Sequence, residues 1–486
     1  MRLVDLLSEL PSYAVMGDPT VEVYGIACDS RTVQRGDLFC AISGRTHDGH
    51  AFVQDALVRG AAAALVERPV EVPIPQVIVP SVRRAMGPLC SAFYGHPSHR
   101  LSVIGVTGTN GKGAVTYFTR AVLEAGGARC GVIGTLGAFF GDEAVRLPHT
   151  TPEAPVLQAL LDRMVRRGMS FVAMEVASHA LAMHRVDGVR FAAAAFTNLS
   201  QDHLDFHGTM EAYRDAKALL FQQVVPHGIS VLNRDDPASA YLSARSRAPV
   251  RTYGLTEDAD VRAEDVRLDR DGCAFTVLAR EGRQPFFIPT PGRFNVYNAL
   301  CAIALGLHFG VPLDAMAARL ASFEGIPGRF ERVDEGQQFA VIVDYAHTPD
   351  GLRRVLETAR EFTGGQVIVV FGCGGDRDRA KRPQMGRIAA TLADRVILTS
   401  DNPRSEDPLR ILEEITSGIP PTARYEVEPD RRAAIRRALQ SARPGDTVLI
   451  CGKGHEDVQI LLDRTIPFDD RAEARAVLRE LGYGRD

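Results

Sequence analysis

LSVIGVTGTNGKGAVTYFTRAVLEAGG, residues 101–127, reads as a strand, a glycine-rich turn and a helix in immediate succession. LSVIGV is an apolar strand-like run, TGTNGKG supplies the turn, and Val115, Phe118 and Val122 then recur at helical spacing. That order builds a phosphate cradle. Glycines let backbone N–H groups approach phosphate oxygens, Lys112 adds a mobile positive charge, and the helix N-terminus adds its partial charge. Thr107, Gly108, Thr109, Asn110, Gly111, Lys112 and Gly113 are the candidate contacts, and ATP is the natural ligand. Two positions depart from G-x-x-x-x-G-K-[ST]. Val106 stands at the first glycine position, and Gly113 stands where a hydroxyl would reach Mg2+, so that a water would have to replace it. A glycine-rich turn that binds nothing would have no need of Lys112 at that spot.

Outward from this stretch the same rhythm continues. ARCGVIGT, FVAMEVAS, FAAAAFTN and GISVLN are strand-like runs separated by helical patterns, which predicts an α/β fold with a parallel sheet. The turn-rich cluster at Gly95, Pro97 and Ser98 and a second one at Ile326 to Arg329 divide the chain. Beyond the second, FAVIVDYAH, QVIVVFG, RVILTSD and DTVLICG restart the rhythm. We therefore expect three domains, 1–98, 99–327 and 328–486, the first a small α/β domain with a helix over AFVQDALVRG.

In a parallel sheet the ends of FVAME and FAAAAF share the edge that carries the phosphate loop. Glu175 stands there, followed on the next strand by Asn198, Asp202, His203, Asp205 and His207. A glutamate and a histidine at that edge could hold a metal bridging ATP phosphates, although each alone is also an ordinary structural hydrogen-bonder. Lys217, in EAYRDAKALLF, falls in an amphipathic helical pattern and by itself reads as a solvated lysine.

Four strand ends in the last domain carry Asp344 to His347, Gly372 to Arg377, Asp401 to Arg404, and Gly452 to Glu456. Two arginines suit a carboxylate and Glu456 suits an ammonium, so the implied ligand carries both charges, as an amino acid does. Joined to a phosphate cradle, such a site implies attack of a carboxylate on the ATP γ-phosphoryl group. An amine then attacks the acyl phosphate to form an amide.

TGTNGK, MEVASH, TNLSQDHLDFHG, GRFNVYNAL, IPGRFE, VDYAHTPDGL, FGCGGDRDRAKRP, SDNPRSEDP and CGKGHED together resemble the Mur ligases, in the family's order over nearly the whole chain. The nearest branch adds the third residue of the peptidoglycan stem peptide. The resemblance implies a uridine-nucleotide-binding first domain, a central ATPase domain and a Rossmann-like last domain. It gives Ser30 and Arg31, with the neighbouring Gly44 to His47, to the uridine nucleotide, and Thr150, Thr151, Ser178 and Arg185 to the muramoyl peptide. It makes Lys112 the phosphate-loop lysine, Glu175 and His203 magnesium ligands, and Lys217 a lysine that is carbamylated to help position a metal. Asn295, Arg329, Asp344 and His347 match nucleotide contacts, and Arg377, Gly452 and Glu456 match amino-acid contacts. The tetrapeptide Asp401, Asn402, Pro403, Arg404 implies meso-diaminopimelate, whose second carboxylate pairs with the arginine. Besides Gly113, the chain departs from the family at His149, Ala177 and Met183.

Composition narrows the partners. With 60 acidic against 56 basic residues, a net charge of −4, no bulk attraction to nucleic acid or anionic membrane is expected. The eight cysteines are scattered without C-x-x-C pairs, and read as reduced core residues. MRLVDLLSEL lacks the basic start of a signal peptide, and no run is apolar enough to span a bilayer, so a cytoplasmic monomer acting on small molecules is expected. Two alternatives remain. One is a divergent family member using another carboxylate acceptor, motivated by Ala177 and Met183; the other is a non-catalytic nucleotide-binding homologue, motivated by Gly113.

Overall fold

The computed structural model describes residues 1–44 and 47–484, so Arg45 and Thr46 of the Gly44–His47 segment lie outside the described residues. The chain forms two compact units. One comprises residues 1–262, 278–282 and 297–316; the other comprises 263–277, 283–296 and the chain from Ala317 onward.

The first unit holds two sheets. The N-terminal sheet runs Ala14–Met16, Gln76–Ile78, Ala63–Val66, Asp37–Cys40, Gly25–Ala27, parallel throughout except for its first pair. Alternation along its strands divides its apolar residues between two cores. Leu38, Leu65 and Val77 pack with Val82, Met86 and Leu89 of the helix Val82–Phe93, while Phe39, Ala64 and Val66 pack with Val53 and Ala56 of the helix Val53–Val58.

In the central sheet the strand Ser102–Thr107 lies between Phe171–Glu175 and Phe191–Phe196, parallel to both. Cys130–Gly134 continues on one side and Val224–Asn233, then Val250–Gly254, on the other. The register sets Glu175 beside Val106 and Phe196 beside Thr107, so three strands end together at a topological switch point, where α/β sheets place ligands. The helix Lys112–Ala125 buries Val115, Phe118 and Val122 as its spacing predicts. The cluster at Gly95 to Ser98 lies between the helix Val82–Phe93 and the strand Ser102–Thr107, and the residues before it belong to the same compact unit as the central sheet. Helix Val82–Phe93 packs on helix Ala154–Arg166, and Gly87 approaches Gly188 so closely that an added Cβ would lie 2.8 Å from its nitrogen.

The second unit carries a six-stranded sheet in the order Glu331–Arg332, Ala340–Asp344, Thr447–Cys451, Val367–Phe371, Arg395–Leu398, Tyr425–Val427. Only its first pair is antiparallel. Its central strands are buried on both faces, as the continuous β-branched runs require. All eight cysteines are free thiols and seven are buried. Among the described residues no helix is long and apolar enough to cross a membrane.

Candidate active site

The phosphate loop is held by the strand beside it. Thr197 Oγ1 donates to Asn110 O at 2.6 Å, Asn198 Oδ1 accepts from Asn110 N at 3.0 Å, and Asn198 O accepts from Thr109 N at 2.8 Å. Gly108 (φ +148°) and Gly111 (φ +83°) have backbones that other residues rarely adopt, and a Cβ on Gly111 would lie 2.5 Å from Asn298 Oδ1. Thr107 Oγ1 and Asn110 Nδ2 are buried without a partner, two polar atoms aligned with what a phosphate cradle needs. Lys112 Nζ donates to Gly108 O at 3.1 Å and Thr109 O at 2.9 Å.

Lys217 departs from its bland sequence pattern. It is 1% exposed, and its Nζ donates to Gly108 O at 2.8 Å and sits 4.1 Å over the Tyr213 ring. Burial, reinforced by the neighbouring Lys112 charge, holds its pKa well below the usual lysine value. Tyr213 was missed by sequence reasoning. Its hydroxyl lies 3.2 Å from Thr109 Oγ1, and burial pushes its pKa up to about 12, so it stays a phenol. An aromatic residue one helical turn before a buried lysine is the only signal the sequence offered.

Glu175 Oε1 accepts from Thr135 N at 2.8 Å, and a Cβ on Gly113 would lie 3.3 Å from the same oxygen. The residues implied for the muramoyl peptide gather around this glutamate. Thr151 Oγ1 donates to Glu175 O at 2.9 Å, Thr150 Oγ1 lies 3.1 Å from Thr135 Oγ1, and Arg185 Nη1 donates to Thr151 O at 3.0 Å. Arg185 also pairs with Glu153 at 2.9 Å, which in turn faces Arg83 at 3.5 Å. Glu153, Arg83 and Arg185 all act on the Cys28 thiol, whose pKa burial pushes up to about 12. The segment carrying Ser30 and Arg31 therefore begins beside that cluster. Arg31 itself is exposed and paired with Asp29 at 2.7 Å.

His203, at φ +52°, begins the short helix Leu204–His207, and its ring lies 4.6 Å from that of His179. Ser178 Oγ lies 2.9 Å from His207 Nε2. Burial and neighbouring imidazoles hold His179 down at about 4, so this trio stays neutral near pH 7. Ala177 occupies the N-cap of the helix Ser178–Ala182 without a side-chain cap, the structural cost of having no serine there. Among the described residues no three His, Cys, Asp or Glu side chains form a ready-made cation site. A cavity of about 370 Å3 lies at the opposite ends of these strands, lined by Arg100, Ser102, Ser170 and Arg190 among others, and shares no residue with the phosphate loop.

In the second unit, Asp344 is buried, and its carboxylate accepts from Phe330 N at 2.7 Å and Ala346 N at 2.8 Å. Burial raises its pKa against the opposing pull of Arg329, whose guanidinium lies 5.0 Å from the Tyr345 ring. His347 stacks obliquely on Tyr345 at 4.6 Å and is held below its usual pKa by burial. Asn295 Nδ2 donates to Pro291 O at 2.9 Å.

The loops expected to take the amino acid are cross-braced. Arg404 adopts φ +51°, its nitrogen donates to Ile460 O at 3.1 Å, and its Nη1 donates to Gly375 O at 2.7 Å. A Cβ on Gly452 (φ +115°) would lie 2.5 Å from Asp401 Oδ2, so that turn admits only glycine. Arg377 is exposed. Arg382, unmarked in the sequence, is completely buried; it pairs with both Glu406 oxygens at 2.8 Å and Glu414 at 2.7 Å, and donates to Gly374 O at 3.2 Å. Glu406 Oε1 also accepts from the Asp376 N–H at 2.6 Å, tying the Gly372–Arg377 loop to the loop of Arg404.

Arg382 depresses the Glu406 carboxyl to about 2 from an ordinary 4.5. A carboxyl whose folded-state pKa is lowered stabilises the fold fully above about 4.5, and that stability is lost as pH falls toward about 2. Glu406→Gln should lower the melting temperature at pH 7 and flatten its fall between those pH values. An unchanged thermal profile would remove Glu406 from the brace.

Three family models match in order: "Mur ligase family, catalytic domain" over residues 22–94, "Mur ligase middle domain" over 106–306, and "Mur ligase, glutamate ligase domain" over 328–454. A protein of Geobacillus kaustophilus (strain HTA426), named UDP-N-acetylmuramoyl-L-alanyl-D-glutamate--2,6-diaminopimelate ligase, is 48% identical over 99% of this chain and 100% of its own. A protein of the same name from Listeria monocytogenes serotype 4b (strain F2365) is 44% identical over the same shares. A solved structure carrying that ligase name is 33% identical, covers 99% of both chains and superposes with a TM-score of 0.74. With three family models matched in order, its phosphate loop and these full-length relatives, the chain belongs to the Mur ligase family.

Proposed function

We propose that this chain is the ATP-dependent ligase that joins meso-diaminopimelate to UDP-N-acetylmuramoyl-L-Ala-D-Glu, acting as a cytoplasmic monomer. The observation that carries the assignment is identity of 44–48% along the full chain to ligases of that name, together with D-N-P-R at 401–404. Segments 1–98, 99–327 and 328–486 would serve the uridine nucleotide, ATP and the amino acid respectively.

The chemistry follows from the residues. Gly108 to Gly113 cradle the phosphates, and the unpartnered Thr107 hydroxyl and Asn110 amide fit that ligand. The muramoyl carboxylate, oriented by Thr150, Thr151, Ser178 and Arg185, attacks the γ-phosphoryl group, the bond to the β-phosphate oxygen breaks, and ADP leaves an acyl phosphate behind. Lys112 neutralises charge on the transferring group. Arg377 and Arg404 hold the amino-acid carboxylate, and Glu456 holds one ammonium, so that the second amine, unprotonated, is presented to the acyl phosphate; the amide forms as inorganic phosphate leaves and the amine gives up a proton. Asn295, Arg329, Asp344 and His347 are assigned to the nucleotide.

Glu175 and His203 offer hard donors suited to Mg2+, and Lys217 would add a third oxygen donor as a carbamate. The ion would draw charge from the phosphoryl oxygens. An inactive descendant would have no use for a lysine desolvated beside a second lysine, which weighs against a merely nucleotide-binding protein.

The deciding experiment is product mass after incubation with ATP, Mg2+ and the UDP-muramoyl dipeptide, offered meso-diaminopimelate or L-lysine in parallel. Tripeptide with diaminopimelate alone is expected; product with lysine alone, or with neither, would overturn the assignment. A narrower test concerns Gly113. A threonine there brings a hydroxyl next to Glu175, so Gly113→Thr should lower the Mg2+ concentration for half-maximal rate roughly threefold. An unchanged Mg2+ dependence would mean that another donor already serves.

A further inference from the structure

Lys453 is fully buried, and its ammonium is held by Val458 O at 2.6 Å, Glu456 Oε2 at 3.1 Å and Asn402 Oδ1 at 3.1 Å. Asn402 closes the triangle: its Nδ2 donates to the same Glu456 oxygen at 2.8 Å, and its Oδ1 also accepts from Ile460 N at 3.0 Å. Oε2 of Glu456 thus receives two donors and Oε1 neither, while the side chain stays 28% exposed. A buried ion pair is a poor route to stability, since well-packed apolar side chains do as well or better. What this one provides is orientation.

We propose that Lys453 is a positioning residue for the amino-acid substrate, turning Oε2 of Glu456 inward and leaving Oε1 as the acceptor for a substrate ammonium. The substrate's identity rests on the ligase assignment above. Asn402 belongs to the loop of Arg404, and the Arg404 N–H is itself bonded to Ile460 O at 3.1 Å. One buried triangle therefore fixes the spacing between the group that takes a carboxylate and the group that takes an ammonium. It sets the length of amino acid that satisfies both ends, and a chain lacking either charge leaves one end unpaired.

The test is a double-mutant cycle of Lys453→Met and Glu456→Gln, read by Michaelis constants and by melting temperature. In the wild-type background Lys453→Met should raise the constant for diaminopimelate at least about tenfold and that for ATP less than about twofold. Added to Glu456→Gln, it should change the diaminopimelate constant less than about twofold, because no charge is left to orient. Its destabilisation should likewise be smaller there. Should the single variant fail to fold, the comparison of Glu456→Gln with the double variant still decides. Multiplicative effects, equal rises for both substrates, or the same loss of melting temperature in both backgrounds would overturn the role. A wild type that makes no product with diaminopimelate would refute the ligase assignment instead, and the melting-temperature cycle would still report on Lys453 and Glu456.

Discussion

Lys217→Met abolishes ligase turnover, by at least about 10^3-fold, while ATP binding stays within a few-fold of the parent. A factor of 10^3 corresponds to about 4 kcal/mol of transition-state stabilisation, a reasonable share for a group that organises charge around a transferring phosphoryl. Methionine is close in length and prefers the apolar surroundings that make the lysine ammonium costly, so the fold should survive or gain stability. Lys217→Arg should fail equally, because a guanidinium stays charged and cannot take up CO2. The depressed pKa leaves more of the Lys217 amine neutral near pH 7, and the neutral amine is the form that adds CO2. Incubation with 13C-bicarbonate should accordingly give a carbamate carbonyl resonance in the parent and none in Lys217→Met. Retention of more than about a tenth of the activity in Lys217→Met would remove this lysine from the machinery.

Arg404→Ala should raise the Michaelis constant for diaminopimelate by roughly 30- to 10^3-fold, equivalent to about 2–4 kcal/mol, and leave that for ATP within about twofold. One guanidinium N–H reaches Gly375 O, and the remaining donors of the fork suit a carboxylate. Lysine has no carboxylate at that end, so the parent's preference for diaminopimelate over lysine should collapse. Arginine already carries the cost of about 1 kcal/mol that a Cβ meets at φ +51°, and alanine carries the same, so the backbone adds nothing to the loss. Arg404→Asn eases that backbone; it should match alanine in substrate preference while melting above it. Equal rises for both substrates would refute the carboxylate-binding role.

Where a residue's task depended on local order, the sequence was readable. The run from Leu101 to Gly127 announces its strand, turn and helix because all three are written in consecutive residues. The strand-end loops of the second unit are legible for the same reason. Lys217 was not, because its burial is made by Gly108, 109 residues away, and by Tyr213, and helical periodicity describes only a helix's own faces. Arg382 escaped likewise, since nothing nearby distinguishes a basic residue that will be enclosed by the distant carboxylates of Glu406 and Glu414, and the burial of Lys453 depends in the same way on Asn402, 51 residues away. The cluster at Gly95 to Ser98 reads as a boundary, but the packing of helix Val82–Phe93 on Ala154–Arg166 is a matter of shape that only folding reveals.

The same second unit hides a completely buried pair. Arg431 Nε and Nη2 donate to Asp470 at 2.7 and 2.6 Å, and its remaining N–H groups reach Cys451 O at 3.0 Å and Ser400 O at 3.4 Å. Those two carbonyls immediately precede Gly452 and Asp401, the turns on which the amino-acid loops hang. Asp470 opens the helix Asp470–Glu480. Clipping the chain before that helix, by protease or by a premature stop, would strand a guanidinium in the interior beneath both turns. Shortened forms of the protein are therefore poor starting material for inhibitor screening or crystallisation, even though the segment removed contains none of the residues assigned to the substrates.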